Sequence, residues 1–455
     1  MRVFQTLLAF SGNAPPQLAI TRQLVERGHE VRVLAHRAAR ERVESTGAEF
    51  VAFKQTLPDM DFTRRESDSL RDWEARTKLG RSLRVRNNIL FNPLIDTTRE
   101  CAEQLESWPA DAMVFDWMQP GAPIAAEGAD LPAVAIVHGP YPLPVEGAPP
   151  LGSGWRPLDG RLGAARDRLA GRIVARFFAP GLPILNRARS EQGLEPLASW
   201  DAQLLRAQTI YVMSAPELDF SSRAALPANV RYVGPAFEPF AREWVSPWPE
   251  TNTAPLVLIS LSTSYMNQQA LAQRILDAVG ALPVRALLTA GPALDTRMLR
   301  IPTNTHTVAY LPHRTVLPHT ALVVTHAGWQ TINAALADGV PLLCIPDGRD
   351  QPDNAARVVL VGAGMRVRKG ASPRRVQRAI EAALEDPSLK RGASAMAAAL
   401  ARSDGALTVA EDLERLLEPD AGVVQPGHFD YLVEEPPADG GHASTVKDLD
   451  QDVYG

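Results

Sequence analysis

The sequence predicts an α/β protein built from two doubly wound, mostly parallel sheets, and three observations carry that prediction. The N-terminus alternates strand, helix, strand: Val3 to Phe10 is apolar, Gln17 to Arg27 reads as a helix closed by Gly28, and Glu30 to Leu34 is apolar again. A second alternation starts at Leu256 to Leu261, again strand first. At 455 residues the chain is too long for one core and fits two domains with extras.

Composition narrows the class. Hydrophobic residues make up 45% and charged residues 22%, as in ordinary soluble globular proteins. A formal net charge of -5 gives no reason to expect a nucleic-acid partner. The two cysteines, Cys101 and Cys344, lie far apart, so neither a disulfide framework nor a zinc site is expected, and a reducing cytoplasm suits the chain. The first residues, MRVFQTLLAF, form a strand and not a leader peptide. No run of about 18 apolar residues exists, so no stable membrane insertion is expected.

Taken in order, Gln55 to Thr98 is polar and helix-prone and is placed over the mouth of the first domain. Met113 to Phe115 and Ala133 to Val137 are short buried strands, each followed by a polar residue, Asp116 and His138. Tyr141 to Arg156 is crowded with Pro and Gly and reads as an irregular loop. Leu162 to Phe178 carries repeated Arg on an apolar background and reads as a solvated helix face in preference to a membrane-surface helix. Thr209 to Met213 and Val230 to Pro235 close a first domain spanning 1–236, and the Pro- and Trp-rich stretch 237–255 reads as the linker. The second domain, 256–402, adds strands at Val284 to Thr289 and Thr307 to Ala309 and helices at Ser372 to Glu385 and Leu389 to Ala401. A last helix occupies 403–418, and 419–455 turns to Asp, Glu, Gly and Pro, the composition of a disordered acidic tail.

The informative stretch runs from Tyr310 to Arg357. Ala321 to Thr325 is a β-branched strand, Thr331 to Asp338 a helix stopped by Gly339, and Pro341 to Ile345 the next strand. Between strand and helix lies His326-Ala327-Gly328-Trp329-Gln330-Thr331. Glycine allows close backbone approach there, and the helix's free N–H groups and positive end attract phosphate. Asp347-Gly348-Arg349-Asp350-Gln351 follows the next strand and lies at the same carboxyl edge. Phosphate donors beside a carboxylate and an amide suit a nucleotide sugar.

Tyr310, Pro312 and His313, the HAGWQT loop, Gly339-Val340-Pro341, and Asp350-Gln351 with Asn354 and Arg357 together resemble the donor-binding signature of the GT-B nucleotide-sugar glycosyltransferases related to plant and antibiotic-pathway enzymes. The resemblance implies two Rossmann-like domains facing each other across a cleft, with the last helix crossing back onto the first. It implies an inverting, metal-independent transferase that needs no cofactor, with a nucleotide diphosphate sugar and a small hydrophobic acceptor as partners, working as monomer or homodimer. The donor side would comprise Ser262, Thr263, Tyr310, His313, His326, Gly328, Trp329, Gln330, Thr331, Asp350 and Gln351. Tyr310 would stack on the nucleobase, His326, Gln330 and Thr331 would bind the diphosphate, and Asp350 and Gln351 would hold the sugar.

Two departures stand out. Many uridine-diphosphate users have a ribose-binding glutamate where this chain has Ala334, which makes a thymidine-diphosphate sugar as plausible as a uridine one, with Asn333 as a substitute partner. Many relatives place a general-base histidine where this chain has Asn13, and an amide can only orient an acceptor. Three accounts stay open: Asp116 acts as base, His138 reaches the same cleft, or the acceptor needs little help. Asp116 with His138 is preferred. The competing reading from another class is a non-catalytic nucleotide-sugar-binding partner of a transferase. Asp59-Met60-Asp61 and Asp448-Leu449-Asp450 follow no buried strand and carry no metal prediction.

Overall fold

The computed structural model describes residues 1–8, 11–56, 63–68, 70–239 and 243–418. The tail expected over 419–455, and parts of the segments after the first strand and in the linker, lie outside the described residues.

Two all-parallel sheets form the frame. The first contains β1 (Arg2–Leu7), β2 (Glu30–Ala35), β3 (Glu49–Ala52), β4 (Ala112–Asp116), β5 (Ala133–Val137), β6 (Thr209–Val212) and β7 (Val230–Tyr232), ordered β3-β2-β1-β4-β5-β6-β7. The second contains β8 (Leu256–Ser260), β9 (Arg285–Thr289), β10 (Thr305–Val308), β11 (Leu322–Thr325), β12 (Leu342–Cys344) and β13 (Gly364–Arg366), ordered β10-β9-β8-β11-β12-β13. Central strands such as AMVFD and LVVT are buried on both faces, which is why they read as unbroken apolar runs. In each sheet the strand order reverses beside the first strand, between β1 and β4 and between β8 and β11. Loops leaving the carboxyl ends of those strands diverge and open a crevice.

The helix Gly405–Leu416 returns to the first sheet. It buries Ala406, Val409, Ala410 and Leu413 in one cluster with Leu18 and Ile20 of the helix Ala14–Glu26. Glu414 fixes its end, accepting from Arg27 Nε at 2.9 Å and lying 2.7 Å from His29 Nε2. Those partners hold the Glu414 carboxyl at about 2, below the usual carboxylate range.

The two sheets are also joined by charge. Arg357 on the helix Gln351–Leu360 donates to Asp219 at 2.8 and 3.1 Å, and both side chains are buried. Asp219 also accepts from the Tyr141 amide at 2.7 Å and the Tyr232 hydroxyl at 2.9 Å. One turn earlier Asp353 accepts from the amides of Gly154 at 2.8 Å and Gly152 at 3.1 Å, in the Pro- and Gly-rich loop of the first domain. The glycines leave their N–H groups free to approach the carboxylate; Gly152 and Gly154 have φ of 94° and 66°.

Burial pushes the Asp353 carboxyl up to about 6, against the lowering by these amides and Arg357. A folded value above the usual 3.8 favours the folded state when protonated. Its stabilising contribution is therefore full below the unfolded value and is lost as pH rises through about 6. Between pH ~7 and ~4 the wild type should gain up to about 3 kcal/mol of stability relative to Asp353→Asn. Urea midpoints at both pH values measure this, and parallel pH profiles for the two proteins would refute it.

Both cysteines are free and buried, and burial pushes the Cys344 thiol up to about 12. Among the described residues no helix is long and apolar enough to cross a membrane.

Candidate active site

At the switch point of the first sheet, Asp116 ends β4 and His138 follows β5. Asp116 is fully buried and accepts from Gln17 Nε2 at 2.7 Å and from the Met118 amide at 2.9 Å. Its remaining direction faces His138 Nε2 at 3.3 Å. His138 keeps a 10% exposed side chain, whereas Asp116 shows none. Asn13 precedes the helix Ala14–Glu26; its amide lies 3.7 Å from Met118 Sδ, and its carbonyl accepts from Gln17 Nε2 at 3.3 Å. Beside this group, Leu8, His36, Ile89, Leu90, Leu94 and Gln119 line a mostly apolar cavity.

The second sheet presents the other wall. His326 follows β11 with Nδ1 3.5 Å from both the Thr325 hydroxyl and the Ser260 carbonyl. Burial lowers the His326 pKa to about 4, so the ring is neutral at physiological pH. The ring lies over Gly328, where a Cβ would sit 2.7 Å from Nε2. Ala327 between them adopts φ 72°, a left-handed conformation that the turn forces on a residue with a Cβ. The helix Trp329–Ala337 then begins directly behind the loop. Gln330 Nε2 donates to the His138 carbonyl at 3.2 Å, so the loop after β11 touches the His–Asp pair of the first sheet. Thr331 is half-buried beside it.

Other expected donor residues fall into different settings. Tyr310 is 79% exposed and its ring is available to a ligand. His313 is buried, with Nε2 3.1 Å from the Thr289 hydroxyl, and burial lowers its pKa to about 4. Trp329 is 5% exposed and packs in the apolar cluster with Leu317 and Ile332, so its indole serves the core and not the cleft. Gln351 is buried and occupied: its carbonyl accepts from the amides of Asp347 and Gly348 at 2.9 and 3.2 Å. It shapes the loop on which half-buried Asp350 sits, with Asp350 Oδ2 accepting from Asn354 at 2.7 Å. After β8, the Ser262 and Ser264 hydroxyls lie 3.1 Å apart, and Thr263 is exposed.

Residues 273–416 match the family model of the erythromycin biosynthesis protein CIII-like C-terminal domain. The chain is 27% identical to 4'-demethylrebeccamycin synthase of Lentzea aerocolonigenes, over 91% of this chain and 99% of the relative. It is 25% identical to demethyllactenocin mycarosyltransferase of Streptomyces fradiae, over 91% and 86%. The fold superposes on the calicheamicin glycosyltransferase CalG4 with a TM-score of 0.73 at 19% identity, covering 92% and 99% of the chains. The fold is that of the GT-B glycosyltransferases, and the chain is similar along most of its length to those of antibiotic pathways.

Several contacts that shape the cleft carry no signal in the sequence. Arg349, at φ 55°, donates to Asp72 at 2.9 and 3.0 Å and to the Ser264 hydroxyl at 2.6 Å. The Asp347 side chain is fully buried and pairs with Lys369 and Arg81, the latter at 3.3 Å. Asp72 and Arg81 come from the first domain, where Trp73 also meets Tyr265 edge to face at 5.1 Å. The segment 70–85 is thereby strapped onto the loops after β8 and β12. Gln17, which holds Asp116, stands one helical turn after Asn13, and that spacing could have pointed to it.

Proposed function

We propose that the protein transfers a hexose or deoxyhexose from a nucleoside diphosphate sugar to a small apolar natural-product acceptor, with inversion and without a catalytic metal. The observation that carries this reading is the contact between Gln330 and the His138 carbonyl, which brings the candidate phosphate loop and the His138–Asp116 pair to one point of the cleft. His138 Nε2–H donates to Asp116, which leaves Nδ1 with a lone pair to take the acceptor's proton. Asp116 orients the ring and offsets its charge once protonated; full burial and two other donors suit it to that role better than to being the base. Asn13 orients the acceptor. The nucleophile then attacks the anomeric carbon opposite the departing diphosphate in one displacement.

The leaving group's charge is met by protein donors. The Ser260 carbonyl can only accept, so the neutral His326 ring carries its proton on Nδ1, and a second proton taken up on Nε2 as the diphosphate arrives gives the ring an N–H that faces the loop. With the start of the helix Trp329–Ala337 and the hydroxyls of Ser262 and Thr331, it forms the diphosphate site. Asp350 receives the sugar hydroxyls and Tyr310 the nucleobase.

A thymidine nucleotide fits better than a uridine one. Asn333, the substitute the sequence offers for the missing ribose carboxylate, is fully buried and committed to the Met213 carbonyl and the Ser214 hydroxyl, each at 3.2 Å. Asn333 is thus engaged and does not replace the carboxylate as a partner for a ribose 2′-hydroxyl. The names of the relatives, a rebeccamycin synthase and a lactenocin mycarosyltransferase, and the apolar cavity beside β4 support a natural-product acceptor.

Calorimetry with thymidine and uridine diphosphates and their glucose conjugates tests the donor half. Thymidine diphosphate should bind more tightly than uridine diphosphate. His326→Ala should weaken it by roughly ten- to a hundredfold, the worth of one charge-assisted hydrogen bond. Absence of binding by every nucleotide would overturn the reading, and a uridine preference would overturn the nucleobase assignment.

A further inference from the structure

The helix Gly160–Phe178, which follows the loop after His138, presents an apolar crest to solvent. Leu162 is 81% exposed, Leu169 60% and Ile173 59%, and their spacing of seven and four residues puts them on one line along the helix. Trp155 and Leu158, 43% and 53% exposed, extend the crest at its N-terminal end. The anchored face lies about a quarter turn away, with Gly163, Asp167 and Ala170 buried. The expected solvated arginine face is present as well: Arg161, Arg168, Arg172 and Arg176 turn away from the anchored side, and the apolar crest lies between the two.

Charge frames the crest. Arg161, Arg168, Arg172 and Arg176 are all exposed on or beside it. The helix's single acid, Asp167, is buried and taken by Arg166 at 2.8 Å. Arg168 has a carboxylate 3.8 Å away, on Glu146. The chain as a whole has a net charge of -5, so this positive, apolar face is a local exception and not a reflection of composition.

We propose that this face binds the surface of an anionic lipid bilayer, with Leu162, Leu169 and Ile173 sunk among the acyl chains and the arginines on lipid phosphates. Two observations favour a bilayer over a protein partner. A helix crest is convex, and a line of Leu and Ile on it sinks readily into a soft plane but would need a matching groove in a protein. The arginines run along the whole helix, about 28 Å, as a planar array of anionic headgroups requires and a single acidic patch does not. Binding is peripheral. It places the loop after His138, and with it the acceptor side of the cleft, next to the bilayer. The surface stands whether or not the transfer reading does, because nothing in it uses a donor or an acceptor.

Flotation of the full chain with vesicles decides it. The protein should rise with vesicles containing phosphatidylglycerol and stay behind with pure phosphatidylcholine, the two partition coefficients differing at least tenfold, and high salt should weaken the association. Leu162→Glu with Ile173→Glu, and separately Arg172→Glu with Arg176→Glu, should each lower partitioning by roughly tenfold or more. Both variants should retain the wild-type circular dichroism and melting temperature, since the altered side chains face outward. Equal partitioning to neutral and anionic vesicles, or variants that float like wild type, would overturn the proposal. So would a wild type that ignores vesicles while running as a dimer that Leu162→Glu with Ile173→Glu converts to monomer, since the crest would then belong to a second copy.

Discussion

Replacing His138 by glutamine should lower the turnover rate about 10²- to 10⁴-fold, the usual worth of a positioned general base. The size follows from geometry. His138 is the group of the pair with an exposed edge, and its Nε2 is engaged by Asp116 at 3.3 Å. Removing the ring removes the proton acceptor. Asp116→Asn should also lower the rate, because an amide can present its N–H to the imidazole and favour the wrong tautomer. Neither change touches the donor wall, so thymidine diphosphate affinity should stay within about threefold of wild type if Gln330 keeps its bond to the residue-138 carbonyl. Single-turnover rates alongside calorimetry separate the two quantities. A His138→Gln enzyme that turns over at the wild-type rate would return the base role to another group.

The second large effect concerns stability. Arg357→Ala should cost about 3–5 kcal/mol, since it leaves the Asp219 carboxylate buried with three neutral donors and no cation. The guanidinium also lies over the Phe220 ring, 4.3 Å from its centroid, so packing is lost with the charge. Asp219→Leu with Arg357→Met, which removes both charges, should be far less damaging than either truncation alone. Urea unfolding of the three proteins measures this. A loss under about 1 kcal/mol for Arg357→Ala would mean that water reaches Asp219 and replaces the cation.

Much of this architecture was legible because parallel strands covered on both faces must be apolar throughout, and the central strands are runs such as LVLIS and AVAIV. The edge strands β3 and β13 were not. Glu49–Ala52 is exposed to half-buried along its length and Gly364–Arg366 has three residues, so neither carries an apolar run. The loop His326–Thr331 was legible because its chemistry is local: glycine, polar side chains and a helix start, contiguous in sequence. The contacts of Arg349 and Asp347 were not, because Asp72 and Arg81 lie 277 and 266 residues away in the chain. Trp329 and Gln351 show the limit of position as a guide to role. Each stands in the right loop, yet one side chain fills the core and the other ties down backbone amides.

The returning helix Gly405–Leu416 has a practical consequence for anyone who would recombine this protein. Its apolar face completes the core around Leu18 and Ile20, and Glu414 is held by Arg27 and His29. The first sheet's folding unit is therefore not a continuous stretch of gene. A cut between the sheets yields an N-terminal piece with an uncovered helix and a C-terminal piece carrying an orphaned one. A hybrid with a foreign donor half must keep Gly405–Leu416 from the same parent as the first sheet, so a working exchange needs two crossover points instead of one.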